Sequence, residues 1–214
     1  MDELERRAYC VSNLEIRELD GRPPVIAGYP VVFDSWSEVM LDGRGRPFRE
    51  RVSPTALDKA LASGGDIVSL WNHNADYPLG RTGNGTLRLQ KDDRGLHIEV
   101  DPPTTTWGAD AVTSIRRGDV SGMSFTFGVR ADTWDKGADG VAERTLLDLY
   151  LREVSPVTFP AYPATAVQVR SITIPDLDDE SDGQEADEIP AAPTDDRAVE
   201  RTAMRRRRLN LLRS

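Results

Sequence analysis

The sequence predicts an α+β domain that is mostly β, a closed or strongly curved antiparallel-rich sheet with two or three helices, followed by an unstructured tail. Three observations carry this. Short apolar or alternating runs of strand length recur between turn residues over residues 1–175. Only two segments carry helix start and stop signals. Near residue 176 the composition turns abruptly acidic and poor in large apolar groups.

The elements follow in order. Residues 14–17 (Leu-Glu-Ile-Arg) and 27–33 (Ala-Gly-Tyr-Pro-Val-Val-Phe) suit strands. Residues 53–61 read as a short helix: Ser53 can cap it, Pro54 occupies the tolerated first position, and Ser63-Gly64-Gly65 stops it. Residues 67–71 return to strand, and His73 falls just past their end. Residues 80–85 are turn-rich, 86–89 alternate, and 92–95 turn into a further strand at 96–100. A second helix is expected over 107–117, capped by Thr105 or Thr106 and ended by Gly118. Strands at 120–129 and 146–154 complete the body.

Residues 176–200 hold eleven acids and one arginine, a net of −10, and cannot bury enough apolar surface to offset the entropy of ordering. They read as a disordered linker. Residues 201–214 carry six arginines and no acid, and read as a small basic tail. The whole chain carries −9 and the remaining 175 residues sum to −5, so the body lacks the clustered positive charge that phosphate backbones require, and no specific nucleic-acid partner is expected. A single cysteine, Cys10, excludes an internal disulfide framework and a multi-cysteine metal site. There is no apolar run of about 18 residues, so no membrane span is expected. The acidic start of the chain does not read as a secretory signal.

Two segments carry candidate chemistry, Leu70-Trp71-Asn72-His73-Asn74 and Asp119-Val120-Ser121-Gly122-Met123-Ser124-Phe125-Thr126-Phe127. A base and a latent nucleophile are the minimum for acyl transfer, because a serine hydroxyl attacks a carbonyl only when something takes its proton. By strand alternation Met123, Phe125, Phe127 and Val129 share one face, and Gly122, Ser124 and Thr126 the other. Ser121 also neighbours Gly122 and competes with Ser124. The pattern lacks the second glycine of the Gly-x-Ser-x-Gly elbow, since Thr126 stands there. The same alternation puts Leu147, Leu149 and Leu151 on one face with Glu153, a costly place for a carboxylate unless it is hydrogen-bonded. Glu153 either meets an imidazole N–H there or lies past the strand end against water or an arginine. His97 alternates with Leu96, Ile98 and Val100 and sits on an outward strand face. Two histidines far apart, with no acidic partner at ligand spacing, give no metal site, and no cofactor is expected.

Taken together, these segments resemble the prohead (capsid-maturation) proteases of tailed bacteriophages, which are similar in fold to the herpesvirus assemblins. The resemblance runs through Gly28-Tyr29-Pro30-Val31-Val32-Phe33, residues 48–61, Leu70-Trp71-Asn72-His73, residues 118–125 and Glu153-Val154-Ser155-Pro156-Val157, and on into Phe159-Pro160-Ala161-Tyr162-Pro163. It implies an assemblin-like barrel and a serine endopeptidase with His73 as base, Ser124 as nucleophile and Glu153 as third member. It implies action inside the immature capsid in the bacterial host cytoplasm, or in a prophage-encoded equivalent. The substrates would be the major capsid protein or a scaffolding protein and the enzyme's own chain, with a homodimer or higher oligomer in keeping with the assemblins. The acidic linker would suit self-cleavage, and the basic tail would suit docking on an acidic capsid or scaffold surface. Two other readings use the same residues: a catalytically silent capsid-assembly module, and a small-molecule serine esterase.

Overall fold

Residues 4–9, 14–18, 20–159, 172–175 and 177 are described by the computed structural model. The expectations for the linker at 176–200, Leu177 apart, and for the basic tail at 201–214 lie outside them. The order is β1 (Leu4–Tyr9), β2 (Glu15–Arg17), β3 (Val25–Val32), β4 (Met40–Leu41), β5 (Pro47–Val52), α1 (Asp58–Ala62), β6 (Val68–Trp71), β7 (Asn74–Arg81), β8 (Leu87–Lys91), β9 (Gly95–Val100), α2 (Thr106–Arg117), β10 (Gly122–Lys136) and β11 (Ala142–Val157). No helix among the described residues is long and apolar enough to cross a membrane.

The domain is mostly β with two α-helices, but its strands form two open sheets and no closed barrel is found among the described residues. The first runs β1-β10-β11-β5-β4, with β6 joined to β11 and β7 to β6; the second runs β2-β3-β9-β8. The ladders are antiparallel except for two of the three that β11 makes, with β5 along Ala142 to Leu146 and with β6 at Glu153 and Val154. An isolated bridge between Phe33 and Val52 links the backbones of the two sheets.

The apolar faces explain why the sheets pack. Met123, Phe125, Phe127, Leu149, Leu151 and Val154 of the first sheet form one core with Ile26, Val31, Leu96, Ile98 and Val100 of the second. Phe125 and Phe127 are fully buried, with their rings stacked at 4.7 Å. Burying each such side chain stabilises the fold by about 1.5–3 kcal/mol. Helix α2 closes one side of this core with Ala111, Val112 and Ile115. Its ends follow the sequence: Thr105 Oγ1 accepts from the Gly108 N–H, and Gly118 takes the left-handed conformation at φ 81°.

Other expectations need correction. The helix expected over 53–61 is α1 at Asp58–Ala62, preceded by a turn over residues 54–57, with the Ser53 hydroxyl accepting from Thr55 N–H rather than capping a helix. The last two strands extend well beyond 120–129 and 146–154, because both continue to a tight turn around Gly140. Residues 80–81, expected in a turn, end β7. Glu153 and Leu151 do not share a face. Thr126 pairs with Glu153 but Phe127 pairs with Leu151, so Arg152 is an extra residue, a β-bulge that reverses the parity of everything beyond it. Likewise Leu146, not Leu147, is buried, since the register shifts again there and Leu147 is left exposed.

Candidate active site

The bulge divides β11 by function. Before it, Leu149 and Leu151 face the core; beyond it, Glu153 and Ser155 face away from the core, opposite Thr126 and Ser124 of β10. Glu153 is thus buried as expected, yet on the polar face. Four polar side chains, Ser124, Thr126, Glu153 and Ser155, are gathered on one patch of sheet and all are buried.

His73 reaches this patch from β6. Strand β6 lies parallel beside the end of β11, and a two-residue turn returns the chain into β7, with Trp71 paired to Asn74. Both turn residues have positive φ, 50° at Asn72 and 61° at His73, as a type I′ hairpin requires. Asn is at home there; a histidine held so costs on the order of 1 kcal/mol or more and persists only where its surroundings fix it. They do: Asn72 N–H donates to the Pro156 carbonyl at 3.1 Å, and Asn72 Oδ1 accepts from Thr158 N–H at 2.8 Å. The turn is therefore stitched to the end of β11, and His73 Nδ1 lies 2.6 Å from Glu153 Oε1.

The carboxylate is well supplied with donors. Thr126 Oγ1 donates to Oε2 at 3.2 Å, and Ser155 Oγ donates to Oε1. Burial works to raise the Glu153 carboxyl, but the hydrogen bonds from His73 and Ser155, with the charges of His73 and Arg6, outweigh it and hold it below the ordinary carboxylate range. A charged Glu153 accepts the proton on Nδ1, which leaves Nε2 of a neutral His73 as the acceptor.

Ser124 and His73 line one cleft of about 300 Å³, walled by Arg6, Arg7, Asn72 and Phe159. The Ser124 hydroxyl donates to the Arg7 carbonyl at 2.6 Å, so its proton is held by β1, the neighbour of β10 in the sheet. Ser121 is exposed and precedes β10. His97 sits half-buried on β9, in the other sheet, against Arg17 and edge-on to Tyr29; burial foremost, then the Arg17 charge, lowers its pKa below the ordinary histidine value. The structure brings His73, Ser124 and Glu153 to one place, and leaves Ser121 and His97 outside it.

Strand β1 is held by a buried ionic cluster. Arg7 Nε meets Glu50 Oε1 at 2.5 Å and Arg7 Nη2 meets Glu5 Oε2 at 2.5 Å; Arg144 bridges Glu5 and Glu50 from β11 and reaches Asp132 at 2.6 Å. Glu50 is fully buried. This cluster sets where the Arg7 carbonyl and the Arg6 side chain stand. Sequence reasoning missed it, together with the roles of Thr126 and Ser155. The last two had a readable signal, since each lies two residues along a strand from Ser124 or Glu153 and shares its face. Among the described residues no group of three His, Cys, Asp or Glu side chains is placed to hold a metal ion.

No curated protein and no solved structure matches the chain. The family model described as caudovirus prohead serine protease matches residues 12–179, most of the chain and all three residues of the cleft constellation, though not β1. A base–carboxylate pair beside a cleft serine is what acyl transfer by such an enzyme needs, and on this match the chain belongs to the caudovirus prohead serine protease family.

Proposed function

We propose that this chain is the endopeptidase of prohead maturation, with Ser124 as nucleophile, His73 as general base and Glu153 as the group that orients it. The observation that carries the reading is the 2.6 Å contact between His73 Nδ1 and Glu153, with His73 and Ser124 on one cleft. The Ser124 hydroxyl turns from the Arg7 carbonyl to His73 Nε2 when a peptide enters. Catalytic hydrogen bonds commonly tighten only in the substrate complex. His73 takes the proton as Oγ attacks the scissile carbonyl, and returns it to the leaving amine; Glu153 holds the tautomer and stabilises the imidazolium. Water then attacks the acyl-enzyme with His73 again as base. The tetrahedral oxyanion needs donors in place beforehand, and Arg6, a cation on the cleft wall, is the side chain suited to supply one.

The substrates in this reading are capsid or scaffolding protein and the chain's own acidic segment, residues 176–200. The test is a time course of intact mass for the full chain and its Ser124→Ala variant, each produced with and without the capsid protein. Loss of a C-terminal fragment or of a capsid-protein segment in the parent alone supports the peptidase. Stable masses in both, with capsid assembly intact, point to a silent assembly module, and equal cutting in both removes Ser124 from the role of nucleophile.

A further inference from the structure

Glu153 serves His73 only if its carboxylate is aimed, and one side chain touches both the acid and the strand that carries the base. Ser155 follows Glu153 by two residues on β11 and shares its face. It is fully buried. Its hydroxyl donates to Glu153 Oε1, the same oxygen that His73 Nδ1 meets, and accepts from the backbone N–H of Leu70 at 3.2 Å. Leu70 belongs to β6, whose turn presents His73.

We propose that Ser155 is a positioning residue, a single hydroxyl that locks the Glu153 carboxylate and the His73-bearing strand in one register; this deepens the assignment of Ser124, His73 and Glu153 and rests on it. The ladder between β6 and β11 is only two pairs long, Glu153 with Val68 and Val154 with Ser69. The Ser155–Leu70 bond carries that ladder one step towards the turn, and the Asn72–Pro156 bond carries it to the turn itself. A glutamate has three rotatable bonds before its oxygens, and Thr126 restrains only Oε2. Without the Ser155 hydroxyl, Oε1 keeps only its His73 partner, and the Leu70 N–H loses its acceptor. Ser155 lies directly across from Ser124 in the ladder, but its proton is given to the Glu153 carboxylate and it is not part of the cleft lining that Ser124 shares with His73, which leaves attack to Ser124.

The test uses the full chain labelled with ¹⁵N-histidine. With only two histidines present, a His97→Gln variant assigns the His73 Nδ1–H proton resonance, which stands far downfield when that proton is shared with a buried carboxylate. Alongside it, the rate at which a fluorophosphonate probe labels Ser124 is followed by intact mass. Ser155→Ala is expected to shift the resonance upfield or broaden it by exchange, and to slow labelling about 10- to 100-fold, the equivalent of one charge-assisted hydrogen bond. Ser155→Thr, which keeps the hydroxyl, is expected to restore both. Where Ala lowers stability, Ser155→Cys, with its weak donor, is expected to fall between the two. A parent-like resonance in folded Ser155→Ala overturns the proposal whatever the rate. Labelling of Ser124→Ala at the parent rate instead overturns the nucleophile assignment, and the resonance, which needs no turnover, still decides the role of Ser155.

Discussion

Replacing Glu153 with glutamine tests how much of the activation is charge and how much is aim. The carboxylate meets three partners: His73 Nδ1 at 2.6 Å and Ser155 on Oε1, and Thr126 at 3.2 Å on Oε2. The amide has one oxygen and one donor end, so its orientation decides the outcome. With the amide oxygen at the Oε1 position, His73 and Ser155 keep an acceptor, and the NH₂ falls on Thr126. That hydroxyl can turn to accept it, since an oxygen has two lone pairs and Arg6 Nε takes only one, at 3.3 Å. The reverse orientation would put an NH₂ against both Nδ1–H and Ser155, and is disfavoured. The correct tautomer therefore survives and only the charge is lost. A charge-assisted hydrogen bond contributes about 1.5–3 kcal/mol, so Ser124 labelling by a fluorophosphonate should slow by about 10- to 100-fold. A triad that loses its tautomer falls by about 10⁴-fold. A rate for Glu153→Gln equal to the parent's would refute the role of the carboxylate. A fall to the level of His73→Ala would refute the orientation argument.

Three further outcomes follow from the same geometry. Glu50→Ala should destabilise the fold by about 3–5 kcal/mol in urea unfolding, because it removes a fully buried carboxylate and leaves the buried Arg7 and Arg144 to share Glu5; a change under about 1 kcal/mol would mean that the cluster is not closed in solution. Gly128→Ala should cost at least about 1–3 kcal/mol by thermal melting, since its Cβ would stand 2.1 Å from Tyr150 Cε1, and the double variant with Tyr150→Ala should recover part of the loss. Asp42 is one pH-sensitive carboxylate: burial raises its pKa, but N–H groups of Arg46, Ile174 and Arg44 and the Arg46 side chain hold it at about 2, below the ordinary 3.8. Its folded-state value being depressed, its stabilisation is complete above 3.8 and is lost as pH falls through about 2. Asp42→Asn should flatten the pH dependence of stability in that window, and an unchanged acid limb would remove Asp42 as its source.

Much of this site was legible in the sequence because its carriers are local. Thr105 and Gly118 bound α2, the period of two put Ser124 and Phe125 on opposite faces, and Asn72-His73 just past an apolar run marked a turn. Contacts made at a distance were not. Strand β1 reads Leu-Glu-Arg-Arg-Ala-Tyr and inverts the usual rule, with Leu4 exposed while Glu5 and Arg7 are buried. Hydropathy cannot show such a strand, since its buried charges are satisfied by Glu50 and Arg144, far along the chain. The extra residue at Arg152 was equally silent. A bulge is imposed by the partner strand, and strict alternation through it returned the wrong face for Glu153.

That single extra residue makes β11 two half-strands in one backbone. The inward residues, Leu149 and Leu151 before Arg152 and Val154 beyond it, are written for cohesion, and beyond Arg152 the outward face carries the polar patch of Glu153 and Ser155. Leu149 and Leu151 can drift among apolar side chains without facing the cleft, and Ser155 or Glu153 can change without opening the phenylalanine core. The separation has one vulnerable point. Drawing Arg152 into the regular ladder would merge the two codes and turn Glu153 onto the stacked rings of Phe125 and Phe127, whereas deleting it would leave Glu153 paired with Thr126 on the polar face.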